Sequence, residues 1–125
     1  MQAKPAKPRC VVLIVEDEHL VRVTSADLLA EAGFEVLEAA NADEALRILE
    51  ATPVVRVVFT DVEMPGSLDG LGLARRICRR WPSIGIVLTS GHRIREETIP
   101  REGRFLPKPY DGQALVRQIE EIVNQ

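Results

Sequence analysis

Residues 57–70 read VVFTDVEMPGSLDG, an uninterrupted run from Val57 to Thr60 that ends directly in a carboxylate, Asp61, and then in a turn-rich exit. A strand with one face in water alternates apolar and polar side chains. A short strand without that alternation is covered on both faces, as in a parallel sheet. In an open parallel α/β sheet, ligands collect outside the carboxyl ends of the strands, so the polar residue that closes such a run is the first place to look for function.

Working outward, residues 10–15 (CVVLIV) and 84–88 (IGIVL) repeat the pattern, the first ending in Glu16-Asp17 and the second in Thr89. Two weaker strands are expected over residues 35–38 and 104–106, the latter followed by Lys108 between Pro107 and Pro109. Between the strands lie stretches of helical period. Val21, Ser25, Leu28 and Ala32 mark the first, Ala42, Ala45, Leu46 and Leu49 the second, and Ala74, Ile77, Cys78 and Trp81 the third. Leu115, Ile119 and Ile122 mark the last. Gly33 is placed to stop the first helix, Asn41 with Glu44 to start the second, and Asp69 and Asp111 to cap two others. Residues 91–103 carry only Ile94 and Ile99 as apolar anchors and are interrupted by Pro100, so a short or irregular helix is expected there. The alternating order predicts an α/β sandwich around a parallel sheet.

The chain of 125 residues is long enough for one sizeable core, with 46% hydrophobic and 28% charged residues. A net charge of −3 gives no general attraction to nucleic acid. Residues 1–9, with Pro5 and Pro8, read as a flexible arm ahead of a domain over residues 10–125. The apolar run after the arm is too short for a signal-peptide core or a membrane span. Cys10 and Cys78 lack metal-site spacing and read as reduced thiols, which with the absence of a leader predicts a cytoplasmic protein.

Folding of such a sheet would bring Glu16, Asp17, Asp61, Thr89 and Lys108 to one edge. Clustered carboxylates repel one another unless a cation compensates, and an oxygen-only set favours a hard divalent ion, Mg²⁺ with Mn²⁺ as a substitute. Lys108 adds a fixed positive charge and Thr89 a hydroxyl, which suits a transferring phosphoryl group, with Asp61 as the nucleophile. Each residue alone has a plainer reading. Glu16-Asp17 can simply open a helix at its favourable end, Asp61 can close an ordinary strand, and Thr89 and Lys108 can be surface residues. His19 and His92 are read as surface side chains, because imidazole suits transition metals better than an oxygen-rich site. Arg75, Arg76, Arg79 and Arg80 read as a solvated helix face, and Trp81 as a helix-end anchor.

The segments VLIVEDE, FTDVEMPGSLDG, VLTSG and FLPKPY, in this order, resemble the receiver domain of bacterial two-component response regulators over residues 10–123. The resemblance implies a flavodoxin-like three-layer sandwich, a five-stranded parallel sheet of order 2-1-3-4-5 and about five helices. It also implies Mg²⁺ held by Asp17, Asp61, Glu16 and the Glu63 backbone carbonyl. Asp61 would take a phosphoryl group from a histidine kinase or a histidine phosphotransfer protein. Thr89 and Phe105 would act as the switch, Lys108 would pair with the phosphorylated side chain, and Lys108-Pro109 would be cis. Glu63 and Gly91 would border the route of the hydrolytic water and tune phosphoryl lifetime.

The expected protein is a signalling switch without turnover of an external substrate. It would act on a downstream protein target as a monomer or a phosphorylation-dependent homodimer, with neither nucleic acid nor membrane as partner. Compared with the common pattern, the segment 64–70 looks one residue longer, which would alter the kinase-facing rim, and the interval from Thr89 to Lys108 looks about three residues shorter, which would alter the usual helix-4, strand-5, helix-5 dimer surface. Two other functions fit parts of the pattern. A Mg²⁺-dependent phosphatase or phosphotransferase would share the aspartate nucleophile, but Asp61-Val62-Glu63 lacks a second aspartate. A receiver-like binding module without chemistry would not need the full set of site residues.

Overall fold

The computed structural model describes residues 10–100 and 102–125; the expected arm over residues 1–9 lies outside them. Five strands, β1 (Val11–Val15), β2 (Glu35–Ala39), β3 (Val55–Asp61), β4 (Gly85–Ser90) and β5 (Gly103–Pro107), form one sheet. All neighbours are parallel and the order is β2-β1-β3-β4-β5, as expected. The helices among the described residues are α1 (His19–Glu31), α2 (Ala42–Ala51), α3 (Gly70–Arg80) and α4 (Gly112–Val123).

The apolar runs mean what their lack of alternation suggests. Leu13, Val15, Val58, Ile86 and Leu88 point to one face and pack with Ala45 and Leu49 of α2 and Leu73 and Ile77 of α3. Val12, Ile14, Val57, Phe59 and Val87 point to the other, against Ala26 and Leu29 of α1 and Leu115 and Ile119 of α4. With both faces covered, every residue of β1 is buried. Each fully buried aliphatic side chain contributes about 1.5–3 kcal/mol relative to exposure.

The helix starts follow local chemistry. Asn41 Oδ1 accepts from the Glu44 amide at 2.8 Å, Asp69 Oδ1 from Gly72 at 2.9 Å and Asp111 Oδ1 from Ala114 at 2.7 Å. Each satisfies one of the amides that a helix leaves without a partner. Gly33, at φ +101°, ends α1 in the left-handed conformation that glycine adopts without a side-chain clash.

Two expectations need correction. The fourth of the roughly five expected helices, short or irregular over residues 91–103, is reduced among the described residues to one 3-10 turn, Glu96–Thr98. Ile94 and Ile99 are five positions apart and cannot share a helix face, and Pro100 disfavours helical backbone at Ile99. Both isoleucines instead pack singly against the core on the α2 and α3 side. In α1 the buried stripe is Ser25, Ala26 and Leu29, not Val21, Ser25, Leu28 and Ala32. Apolar residues occur around most of that helix, so its period admits two stripes, and contact with the sheet selects one.

Gly70 opens α3 where the chain turns back on β3. Its amide donates to Val62 O at 2.9 Å, and a Cβ built there would collide with the backbone carbonyl of Asp61. Gly70→Ala is therefore expected to cost about 1–3 kcal/mol in urea unfolding despite the gain in helix propensity. Gly91→Ala, where a Cβ meets nothing within 4 Å, is expected to change stability by less than about 0.5 kcal/mol. Equal stabilities for the two variants would contradict the close approach.

Candidate functional site

Parallel register carries the strand-end residues to one edge. Thr60 pairs with Val15, Asp61 with Thr89, Thr89 with Leu106, and Ser90 with Pro107. The chain past each strand is pinned to its neighbour: the Glu16 amide donates to Ala39 O at 3.0 Å, Val62 to Thr89 O at 2.9 Å and Lys108 to Ser90 O at 2.9 Å. Glu16, Asp17, Asp61, Thr89 and Lys108 are thus neighbours although 92 positions separate the first from the last.

The carboxylates of Glu16, Asp17 and Asp61 each offer an oxygen, and these three oxygens lie within 4.8 Å of one another. Glu16 and Asp61 are each 6% exposed, while Asp17 faces solvent. Burial pushes the Glu16 carboxyl up to about 7, with the Asp61 charge adding to the rise and the hydrogen bond from the Glu18 amide, 3.0 Å, opposing it. Lys108 Nζ stands 2.8 Å from Asp61 Oδ2 and 4.0 Å from Glu16 Oε1. Burial by itself would lower the lysine pKa, but the bond to Asp61 and the charges of Asp61 and Glu16 outweigh it and raise the value. One ammonium against three carboxylates leaves an excess of negative charge. An all-oxygen donor set at this spacing fits a hard divalent cation such as Mg²⁺.

The remaining expected residues surround this cluster. Asp61 Oδ1 accepts from the Glu63 amide at 3.2 Å. The Thr89 hydroxyl is turned toward β5 and donates to Leu106 O at 2.6 Å. Phe105 is half-buried against the core on the α2 and α3 side. Gly91 is exposed just past β4, and Lys108-Pro109 is cis. His19 and His92 are exposed and belong to no metal-ligand cluster among the described residues. Arg80 lies 4.8 Å over the ring of half-buried Trp81 and pairs with Glu50. Arg75, Arg76 and Arg79 are exposed.

Two residues that the sequence reading did not single out hold the site together. Arg22 Nη1 donates to the Glu16 carbonyl at 2.8 Å while its Nε reaches Glu38 Oε1 at 3.1 Å, tying the end of β1 to β2. Ser90 Oγ donates to Glu63 Oε2 at 2.6 Å. The signal for Ser90 was its position directly after Thr89. Nothing in the local sequence marks Arg22, whose partners come from two other segments.

Comparison with known proteins agrees with this geometry. A family model for the response regulator receiver domain matches residues 12–120. An NtrX-like response regulator of Rickettsia bellii is 36% identical over 110 residues, covering 84% of this chain and 23% of that protein. The sensor kinase CckA of Brucella abortus is 34% identical over 119 residues, covering 91% of this chain and 12% of that protein. The chain thus spans less than a quarter of the length of these relatives. The crystal structure of the receiver domain of the hybrid histidine kinase CckA superposes with a TM-score of 0.78 at 34% identity, covering 90% of this chain and 98% of that one. No described helix is long and apolar enough to cross a membrane.

The excess of carboxylates makes opposite predictions with and without a cation. In EDTA, Asp17→Asn is expected to melt at or above the wild-type temperature, because one repelling charge is gone. With millimolar Mg²⁺ the wild type is expected to gain several degrees by mass action and the variant almost nothing. The same Mg²⁺-dependent rise in both proteins, followed by thermal unfolding, would count against the cluster as the binding site.

Proposed function

The chain belongs to the response regulator receiver family, signalling switches of two-component systems, and from that premise we propose that Asp61 is its phosphoacceptor, taking a phosphoryl group from a phosphohistidine on a histidine kinase or histidine phosphotransfer protein. One observation carries this reading. Asp61 is buried at the carboxyl edge of the sheet, with an ammonium at 2.8 Å and two further carboxylates within 4.8 Å.

In the transfer, a carboxylate oxygen of Asp61 forms a bond to phosphorus, the phosphorus–nitrogen bond breaks, and the donor imidazole leaves with the electron pair. Asp17, Asp61, Glu16 and the Glu63 backbone carbonyl are the groups that would hold Mg²⁺. When bound, Mg²⁺ would neutralise charge on the phosphoryl oxygens and on the clustered carboxylates. Lys108 answers the same charge without needing to move far, since its Nζ already sits at bonding distance from Asp61. The Glu63 amide holds Asp61 Oδ1 and so orients the nucleophile.

The switch follows from what Thr89 gives up. Its hydroxyl is held by Leu106 O in this state, so turning toward a phosphoryl oxygen breaks a buried hydrogen bond to β5. That change loosens the strand carrying Phe105, which borders the thin segment between β4 and β5. The surface formed there and along β5 is the one offered to a downstream protein target, by the monomer or through a phosphorylation-dependent homodimer. Glu63, two residues past Asp61, and Gly91, two past Thr89, set how long the phosphoryl group lasts. No turnover of an external substrate is expected.

The test uses phosphoramidate, a small phosphoryl donor with the same phosphorus–nitrogen bond, together with Mg²⁺. The wild type is expected to gain one acid-labile phosphoryl group, read by intact mass and by its loss on treatment with hydroxylamine, and Asp61→Asn to gain none. Undiminished labelling of Asp61→Asn would refute the assignment.

A further inference from the structure

Ser90 is 1% exposed, and its hydroxyl is used twice: Oγ donates to Glu63 Oε2 at 2.6 Å and accepts from the His92 amide at 2.9 Å. Its carbonyl accepts from the Lys108 amide at 2.9 Å. One small buried residue therefore ties together the loop after β3, the segment after β4 and the loop after β5.

Glu63 is exposed on the rim of the sheet, two residues past Asp61. An exposed glutamate ordinarily moves through many rotamers, and fixing one costs entropy. Here the side chain reaches from the end of β3 to the end of β4, along the edge where Asp61 and Thr89 are paired. A hydrogen bond of 2.6 Å from a hydroxyl to a carboxylate is of the short, charge-assisted kind that can hold it there. The donor is well prepared for the task, because the His92 amide fixes the hydroxyl oxygen and burial removes water as a competitor.

We infer that Ser90 is a positioning residue for phosphoryl lifetime: its hydroxyl latches the Glu63 carboxylate across the β3–β4 rim, where the side chain screens Asp61 from water. The inference rests on Asp61 being the phosphoacceptor. In the reaction that ends the signal, a water oxygen bonds to phosphorus and the bond from phosphorus to the Asp61 oxygen breaks, its electron pair returning to the carboxylate. The proton of the water passes to a phosphate oxygen or to a nearby base, and inorganic phosphate leaves. With the latch closed, Glu63 covers the approach and one of its carboxylate oxygens is already engaged. With the latch open, water reaches the phosphorus and the freed carboxylate can take the proton, and both changes shorten the lifetime.

The experiment labels the protein with phosphoramidate and Mg²⁺, removes the donor and follows release of inorganic phosphate. Ser90→Ala is expected to lose the group about tenfold faster than wild type, the scale of one hydrogen bond to a charged partner. Ser90→Thr, which keeps the hydroxyl, is expected to restore most of the lifetime. In a Glu63→Ala background, Ser90→Ala is expected to have no further effect, which a general loosening of the fold would not reproduce. Equal lifetimes for wild type and Ser90→Ala, or the same acceleration with and without the Glu63 carboxylate, would overturn the role of Ser90 while leaving Asp61 as the acceptor. Absence of label on every variant would overturn both. Should Ser90→Ala fail to fold, Ser90→Cys, of similar shape but a weak donor, carries the same expectation.

Discussion

A carboxylate buried at the end of a strand has to be answered by positive charge, and Lys108 answers Asp61 from 2.8 Å across the edge of the sheet. The contact sets demands on the rest of the chain. The end of β3 and the loop after β5 can meet only if β4 lies between them in register, and the pairings of Asp61 with Thr89 and Thr89 with Leu106 supply that register. The backbone of Lys108 is fixed by Ser90 O, so the ammonium arrives from a tethered position. The lysine side chain is 32% exposed, and solvent screens the pair enough that it is a modest source of stability. Its larger consequence is local. It compensates part of the charge of three clustered carboxylates and leaves an excess that suits a divalent cation.

The fold around this contact divides into a rigid part and a thin part. β1 and β3 are covered on both faces by α1, α2, α3 and α4, so the acidic edge stands on a core that cannot shift without opening cavities. Among the described residues, the connection from β4 to β5 carries a 3-10 turn as its one helical element, with Ile94 and Ile99 packed against the core. On the proposed reading, charge arriving at Asp61 is converted into movement where packing is thinnest. Thr89 and Phe105 lie on the two strands that border that segment.

Much of this was legible in the sequence. Strands buried on both faces lose the polar alternation, and so β1, β3 and β4 stood out as apolar runs ending in Glu16-Asp17, Asp61 and Thr89. Caps such as Asn41, Asp69 and Asp111 act within a few residues and were equally readable. The buried stripe of α1 was not, because its apolar residues spread around the helix and only contact with the sheet decides which of them face inward. The expected short or irregular fourth helix shrank to a 3-10 turn for a reason visible afterwards, the five-residue spacing of Ile94 and Ile99 ahead of Pro100. Arg22 and Ser90 escaped notice because their roles depend on partners 16 and 27 positions away, Glu38 and Glu63. Such partners are brought together only by the folded chain: Ser90 had its place after Thr89 as a pointer, and Arg22, on α1, had none.

If Asp61 is the acceptor, its charge state reaches β5 through Thr89. Beryllofluoride with Mg²⁺ mimics a phosphoryl group on a carboxylate, and backbone amide shifts report where the protein responds. Saturable shifts are expected at Asp61, Glu63, Thr89, Phe105 and Lys108, extending into residues 91–103, all absent in Asp61→Asn. Unchanged spectra, or shifts at the acidic edge that stop short of Thr89 and Phe105, would contradict this reading.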